Sequence, residues 1–314
     1  MPVILPCGDN PLSASEIFSI APAVQEALSA GGPIVALESA LISHGLPYPL
    51  NLETAQAMEA AIRAEGALPA TIGLIAGQVV VGLSAAQCER LARGQGVRKV
   101  SRRDLPLALA WGMDGGTTVA ATVYLAGRCG LRVMATGGIG GVHRGQPYDI
   151  SADLPELART PLVVVCSGPK ALLDLPLTRE VLETYGVPVI GYGVEEMPAF
   201  TSVTSGLPVD GRVDAPEEVA RLVRARDALG LRTALLVTVP VPAEVALSPE
   251  EAQAATARAL ELAEAQGITG AALTPFVLAQ MAALTGGRSR QANIALLVNN
   301  ARVAARIARA LAGT

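Results

Sequence analysis

A chain of 314 residues is long enough to bury a large core, and it fits one big α/β domain. A hydrophobic content of 51% with only 3% aromatics means a core built from Ala, Val, Leu and Ile, which suits strands buried on both faces and alanine-rich helices. The net charge of −4 and pI near 5.4 argue against a general nucleic-acid binder, whose footprint would be basic, and no run reaches the length of a membrane span.

The amino terminus, MPVILPCGDNPL, lacks a basic n-region and carries three prolines, so the expected location is the cytoplasm. Residues 1–14 read as an extension and residues 15–314 as a single catalytic α/β domain. Apolar spacing predicts an amphipathic helix over 15–30, then Gly31-Gly32-Pro33 and a strand over 34–37 that delivers Glu38 and Ser39. A polar loop holds His44-Gly45, and Asn51 is placed to cap a helix through about residue 64. Short strands over 70–76 and 79–83 meet at Gly77-Gln78, and a capped helix spans 84–93. After the Lys99 segment come a helix over 105–111, a turn at Asp114-Gly115-Gly116 and a helix from Thr117 to about residue 128.

Strands over 131–136, 162–166, 188–191 and 234–239 then alternate with helices near 170–185 and 215–228. Such alternation implies a three-layer α-β-α fold with a mostly parallel or mixed central sheet. From residue 248 the chain turns largely helical, through 266, over 275–284 and over 292–312. The segment 198–202 (PAFTS) reads as an ordered loop over the sheet, with no role legible from its pattern. Cys7, Cys88, Cys129 and Cys166 are scattered without CxxC spacing and read as reduced core thiols, so zinc is not expected.

Only two lysines, Lys99 and Lys170, stand among the 24 cationic residues. Coding bias toward arginine would explain the count; so would chemistry, because a desolvated lysine can form a Schiff base and an arginine cannot. Lys170 ends the run LVVVCSGPK, and Lys99 sits in VRKVSRRD. Each looks like the exit of a buried strand, where open α/β sheets place their chemistry. Glu38 occupies a third such exit: it is either a solvated cap or a carboxyl whose apolar approach raises its pKa toward that of a general acid.

TGGIGG, at the start of TGGIGGVHRG (136–145), puts four glycines after a strand, leaving backbone amides to face an anion with His143 and Arg144 nearby; a plain tight turn is the alternative. Asp114-Gly-Gly-Thr-Thr offers a second helix N-terminus with two hydroxyls. Together they suggest a phosphorylated ligand. Asp149 and Asp153 flank Ser151 in YDISADL; one of them is explained as a helix cap, and one could hold a hard divalent ion. Asn293 and Asn299 lie on a largely apolar helix as core amides or ligand contacts, and the arginines beside them read as a solvated face.

VALESALISHGLP, VRKVSRRDLP, GGTTVA, ATGGIGGVHRG, DISADL, VVCSGPK, TPFVLAQMAALTGG and NIALLVNNA stand in one order over roughly residues 15–312, and here the chain resembles the pseudouridine-5'-phosphate glycosidase (indigoidine synthase A-like) family. Its extended amino terminus and a short GQPY (145–148) depart from the family pattern. The resemblance implies reversible cleavage of pseudouridine 5'-phosphate to uracil and ribose 5-phosphate. It further implies Lys170 as nucleophile, Glu38 as proton donor, Lys99 as a substrate-binding cation, and Ser151, Ala152 and Asp153 as a substrate loop. Val119, Thr118, His143 and Asn293 follow as ligand contacts, Asp149 as the carboxylate associated with a largely water-coordinated Mn2+, and a homotrimer as the assembly. A Schiff-base aldolase acting on another sugar phosphate would share the lysine and the acid, and a non-catalytic sugar-phosphate-binding protein would share the cavity without turnover.

Overall fold

A computed structural model describes residues 17–313; the expected extension over 1–14, with Cys7, lies outside the described residues. The first half contains β1 (Phe18–Ile20), α1 (Pro22–Ser29), β2 (Ile34–Glu38), α2 (Leu50–Ala64), β3 (Leu68–Ile75), β4 (Gln78–Val81), α3 (Ala85–Arg93), β5 (Arg98–Val100), α4 (Leu105–Ala110), β6 (Gly115–Thr117), α5 (Val119–Arg128) and β7 (Val133–Ala135). The chain continues with β8 (Val142–His143), β9 (Gln146–Ile150), α6 (Asp153–Leu157), β10 (Val163–Cys166), β11 (Leu173–Asp174), α7 (Leu175–Thr184), β12 (Val189–Tyr192), β13 (Gly211–Val213), α8 (Pro216–Ala228) and β14 (Leu235–Thr238). The carboxy-terminal region is helical: α9 (Pro249–Ala265), α10 (Leu273–Leu284) and α11 (Arg288–Ala312).

Local chemistry accounts for many of these boundaries. Ser84 and Gln87 form a reciprocal capping box at α3, and Thr118 caps α5 by accepting from Ala121 N–H. Elsewhere pairing overrides local pattern. The helix expected over 15–30 starts only at Pro22, because Phe18–Ile20 pairs in parallel with Val79–Val81. Gly115-Gly116-Thr117, expected as a turn and a helix start, is a strand held between β3 and β5. Asn51 does not cap α2, whose N-cap is Pro49; its side-chain amide instead donates to the Ile42 and Ala92 carbonyls.

Nine strands run in the order β1-β4-β3-β2-β7-β10-β14-β12-β13, with β6 attached to β3 and β5 to β6, and a separate three-stranded sheet runs β11-β8-β9. From β3 to β13 the pairing along this path is parallel. Side chains alternate across the pleat. Val35, Leu37, Val133, Ala135, Val163 and Val165 face one apolar core with α2, α8 and α11. Ile34, Ala36, Met134, Val164 and Cys166 face the other, with α1, α5 and α6. Two cores separated by one sheet make the three layers, as the alternation of elements implied.

Cys166 is fully buried, and burial pushes its thiol up to about 12. Cys88, Cys129 and Cys166 are free thiols. No helix among the described residues is long and apolar enough to cross a membrane.

Candidate active site

β2, β7 and β10 are neighbours, and the chain leaves β2 toward β3 on one side and returns to β7 on the other. The crevice at their carboxyl ends is therefore a topological switch point, the place where an open α/β sheet exposes backbone and side chains to a ligand. A cavity of about 440 Å3 opens there. Glu38 is the last residue of β2, Thr136 follows β7, and Lys170 follows β10 through Ser167-Gly168-Pro169. All eleven residues singled out in the sequence line this one cavity: Glu38, Lys99, Thr118, Val119, His143, Asp149, Ser151, Ala152, Asp153, Lys170 and Asn293.

The Lys170 turn is held from both sides. Its N–H donates to the Ile139 carbonyl at 3.1 Å, and Ile139 N–H donates to the Gly168 carbonyl at 3.2 Å. Gly168 has φ of +80°, and a Cβ there would lie 2.2 Å from the Pro198 carbonyl oxygen, so only glycine fits.

Burial dominates the electrostatics. Glu38 is pushed above the usual carboxylate range by burial, against the opposing pull of Lys170, a hydrogen bond donated by the Thr136 hydroxyl, and Lys99; Asp153 adds to the rise. Lys99 is lowered by burial and then by the Lys170 ammonium, with Glu38 and Asp153 opposing. His44 is lowered by burial and by Lys99, and its Nδ1 lies 2.7 Å from Ser43 Oγ. A carboxyl disposed to keep its proton thus shares a cavity with both of the chain's lysines.

Several side chains act differently from the sequence expectation. Asp153 caps no helix of its own, since the N-cap of α6 is Ala152. Its carboxylate instead accepts from Ala120 N–H at 2.8 Å, in the first turn of α5, and from Gly140 N–H at 2.7 Å, in the glycine loop. Both features read from sequence as anion cradles therefore spend amides on an internal carboxylate. Val142 N–H is also used, by Thr178 Oγ. Arg144 points its guanidinium at the Leu173 and Ala171 carbonyls, bracing the segment after Lys170 rather than charging the loop. Asp114 binds Arg90 and Ala76 N–H, away from any helix cap. Lys99 sits within β5, opposite Gly116, rather than beyond its end.

Thr136, Phe200 and Arg103 also line the cavity and are not singled out by sequence pattern. Thr136 stands at the same kind of strand exit as Glu38 and Lys170, and that shared position is the signal the sequence offers. Phe200, in the PAFTS loop, is buried with φ of +59°, and its N–H donates to the Ser167 carbonyl. Its backbone conformation is rare for an aromatic residue and has no sequence signature.

The family model described as indigoidine synthase A like protein matches residues 23–310. A pseudouridine-5'-phosphate glycosidase of Herpetosiphon aurantiacus is 54% identical over 93% of this chain and 97% of its own length, and one of Methylobacterium nodulans is 52% identical over 95% and 89%. Among solved structures, the prealnumycin C-glycosynthase AlnA in complex with ribulose 5-phosphate is 39% identical, with a TM-score of 0.87 over 95% of this chain and 98% of that one. An indigoidine synthase A-like protein of Thermotoga maritima gives 35% and 0.86 over 94% and 97%. With its sequence matched almost end to end and its fold shared with these relatives, the chain belongs to the indigoidine synthase A-like family, the family of the pseudouridine-5'-phosphate glycosidases.

Proposed function

We propose that this protein is a pseudouridine-5'-phosphate glycosidase that works through a Schiff base on Lys170. The observation that carries the reading is the meeting, in one cavity, of the buried, proton-retaining Glu38 with Lys170 and Lys99. Relatives at about half identity bear the glycosidase name, and AlnA, a C-glycosynthase seen with a pentose phosphate, supports the ligand class.

Ordinary glycosidases protonate a heteroatom leaving group. Here the leaving atom is C5 of uracil, so C1' needs an electron donor to replace the carbon-carbon bond whose electrons leave with C5. Opening of the ribose ring breaks the C1'–O4' bond, whose electrons stay on O4', and the Lys170 amine bonds to C1' in its place, its released proton going to O4'. As the C1'–C5 bond breaks, the nitrogen lone pair forms the C1'=N imine, the bond electrons pass to C5, and Glu38 supplies the proton that C5 takes up. Water then hydrolyses the imine, releasing ribose 5-phosphate and the free amine. Lys99 supplies a cation for the phosphorylated sugar, while Ser151, Ala152 and Asp153 form one wall with Thr118, Val119, His143 and Asn293 around it.

Asp149 is exposed on β9, and no group of three His, Cys, Asp or Glu side chains converges among the described residues. A hard ion such as manganese would therefore be held here by the one Asp149 carboxylate and otherwise by water. When bound, the ion supplies positive charge beside the phosphorylated substrate. The same reading makes the protein a cytoplasmic homotrimer.

Addition of pseudouridine 5'-phosphate is expected to release uracil, followed by absorbance. Borohydride with ribose 5-phosphate is expected to leave a mass increase on the Lys170 peptide. Uracil release without any adduct on Lys170 rejects the mechanism; an aldolase would instead spare this substrate.

A further inference from the structure

We infer that Asn300 is a positioning residue: from α11 its amide ties together the two strand exits that lead to the Thr136–Glu38 pair and to Lys170. Asn300 is fully buried, on the same helix as Leu296, Leu297, Ala301 and Ala304 of the apolar core. An amide in such surroundings is costly unless bonded, and a helix that needed only packing would place Ala or Leu there. Its bonds all go to one place. Nδ2 donates to the Thr136 carbonyl at 2.9 Å and to Ser167 Oγ at 3.1 Å, with the Gly137 carbonyl at 3.5 Å.

Those acceptors mark the point where β7 and β10 end and the chain turns into the two site loops. Ser167 N–H donates to the Gly137 carbonyl, and Thr136 N–H to the Val165 carbonyl. Beyond this crossing, one exit presents the Thr136 hydroxyl to Glu38 and the other reaches Lys170 three residues after Ser167. Thr136 therefore holds Asn300 with its carbonyl and Glu38 with its hydroxyl. Fixing the Thr136 peptide fixes the direction of the hydroxyl, and with it the placement of the acid relative to the amine. The charged groups facing Glu38 are Lys170, Asp153 and Lys99; Asn300 adds no charge and acts through the Thr136 hydrogen bond alone.

The inference rests on Glu38 serving as the acid of the proposed reaction, and its test reads Glu38 directly. The full-length protein is labelled with 13C at the glutamate side-chain carboxyl, and the Glu38 resonance is assigned by its loss in Glu38→Gln. The bond from Thr136 favours the ionised carboxylate, so Thr136→Val is expected to raise the Glu38 titration midpoint. Asn300→Leu is expected to raise it in the same direction by about half a pH unit or more. The double variant is expected to go no further than Thr136→Val, the mark of one shared pathway. In steady-state kinetics Asn300→Leu is expected to lower kcat by about tenfold or more while changing KM less. Asn300→Ser, which keeps a hydroxyl, decides the matter if the leucine variant does not fold, with an intermediate shift expected.

An unmoved Glu38 midpoint in the folded variant, with only a lower melting temperature, overturns the inference and leaves a structural amide. If the unsubstituted protein releases no uracil while the midpoint still moves, the proposed reaction falls and the tether stands. If uracil is released and the midpoint does not move, the reaction stands and the tether falls.

Discussion

Glu38, Lys99 and Lys170 share one cavity, yet burial acts on the acid and on Lys99 in opposite senses: it raises the carboxyl and lowers the ammonium. For Glu38 the sign has a consequence for stability. Its folded pKa lies above the unfolded value, so the folded chain holds the proton more tightly, and Glu38's contribution to stability is lost as pH rises through the folded pKa. Glu38→Gln is therefore expected to lower kcat by roughly 10² to 10⁴-fold while leaving the thermal midpoint equal or higher at alkaline pH. A lower midpoint there would mean that the lysines support the carboxylate more than burial penalises it. Lys99 and Lys170 separate by role. A compact cation can be replaced by a guanidinium in part, whereas an amine nucleophile cannot, so Lys99→Arg is expected to retain more activity than Lys170→Arg; the reverse order in kcat/KM would overturn the assignment. The lysines and Glu38 are legible in the sequence because each follows or joins a valine-bearing strand. Thr136 and Asn300 are not, since a threonine after a strand and an asparagine on an apolar helix acquire meaning only from what they touch.

At the level of elements, the glycine loop shows where pattern stops. Its position after a strand is readable; its use of amides is not, because Asp153 arrives from thirteen residues onward to accept from Gly140. A Cβ at Gly140 would lie 2.2 Å from Ser151 Oγ and 2.9 Å from Asp153 Oδ2. Gly140→Ala must therefore push the Ser151–Asp153 loop away from the α5 N-terminus. We expect its far-UV circular dichroism to match that of the parent protein and kcat/KM to fall by about a hundredfold, the scale for a displacement of about 1 Å in a site; near-parental kinetics would show that the loop does not need its observed position. The hairpin of β8 and β9 reads as loop in the sequence for a related reason. All five residues of β9 are exposed, so no apolar alternation marks it as a strand.

For the whole molecule, the one quantity that local pattern cannot supply is strand order. Alternating apolar strands and amphipathic helices specify a mostly parallel or mixed sheet covered on both faces, and the two cores on either side of the sheet bear that out. Which exits become neighbours depends on packing between segments about a hundred residues apart, such as the contact of β2 with β7. Assembly is a further step of the same kind: light scattering is expected to give three times the 32.1 kDa chain mass, with activity lost on chelation and restored by manganese. A monomer with full activity in metal-free buffer would reject both parts. The layers, most strand exits and the residue types delivered there are already written in the amino-acid order, because periodicity and turn chemistry act over a few residues. That Glu38, Thr136 and Lys170 meet at one switch point, that Asp153 braces the α5 N-terminus against the glycine loop, and that a buried amide on the last helix joins the two exits all follow from long-range packing that no local pattern encodes.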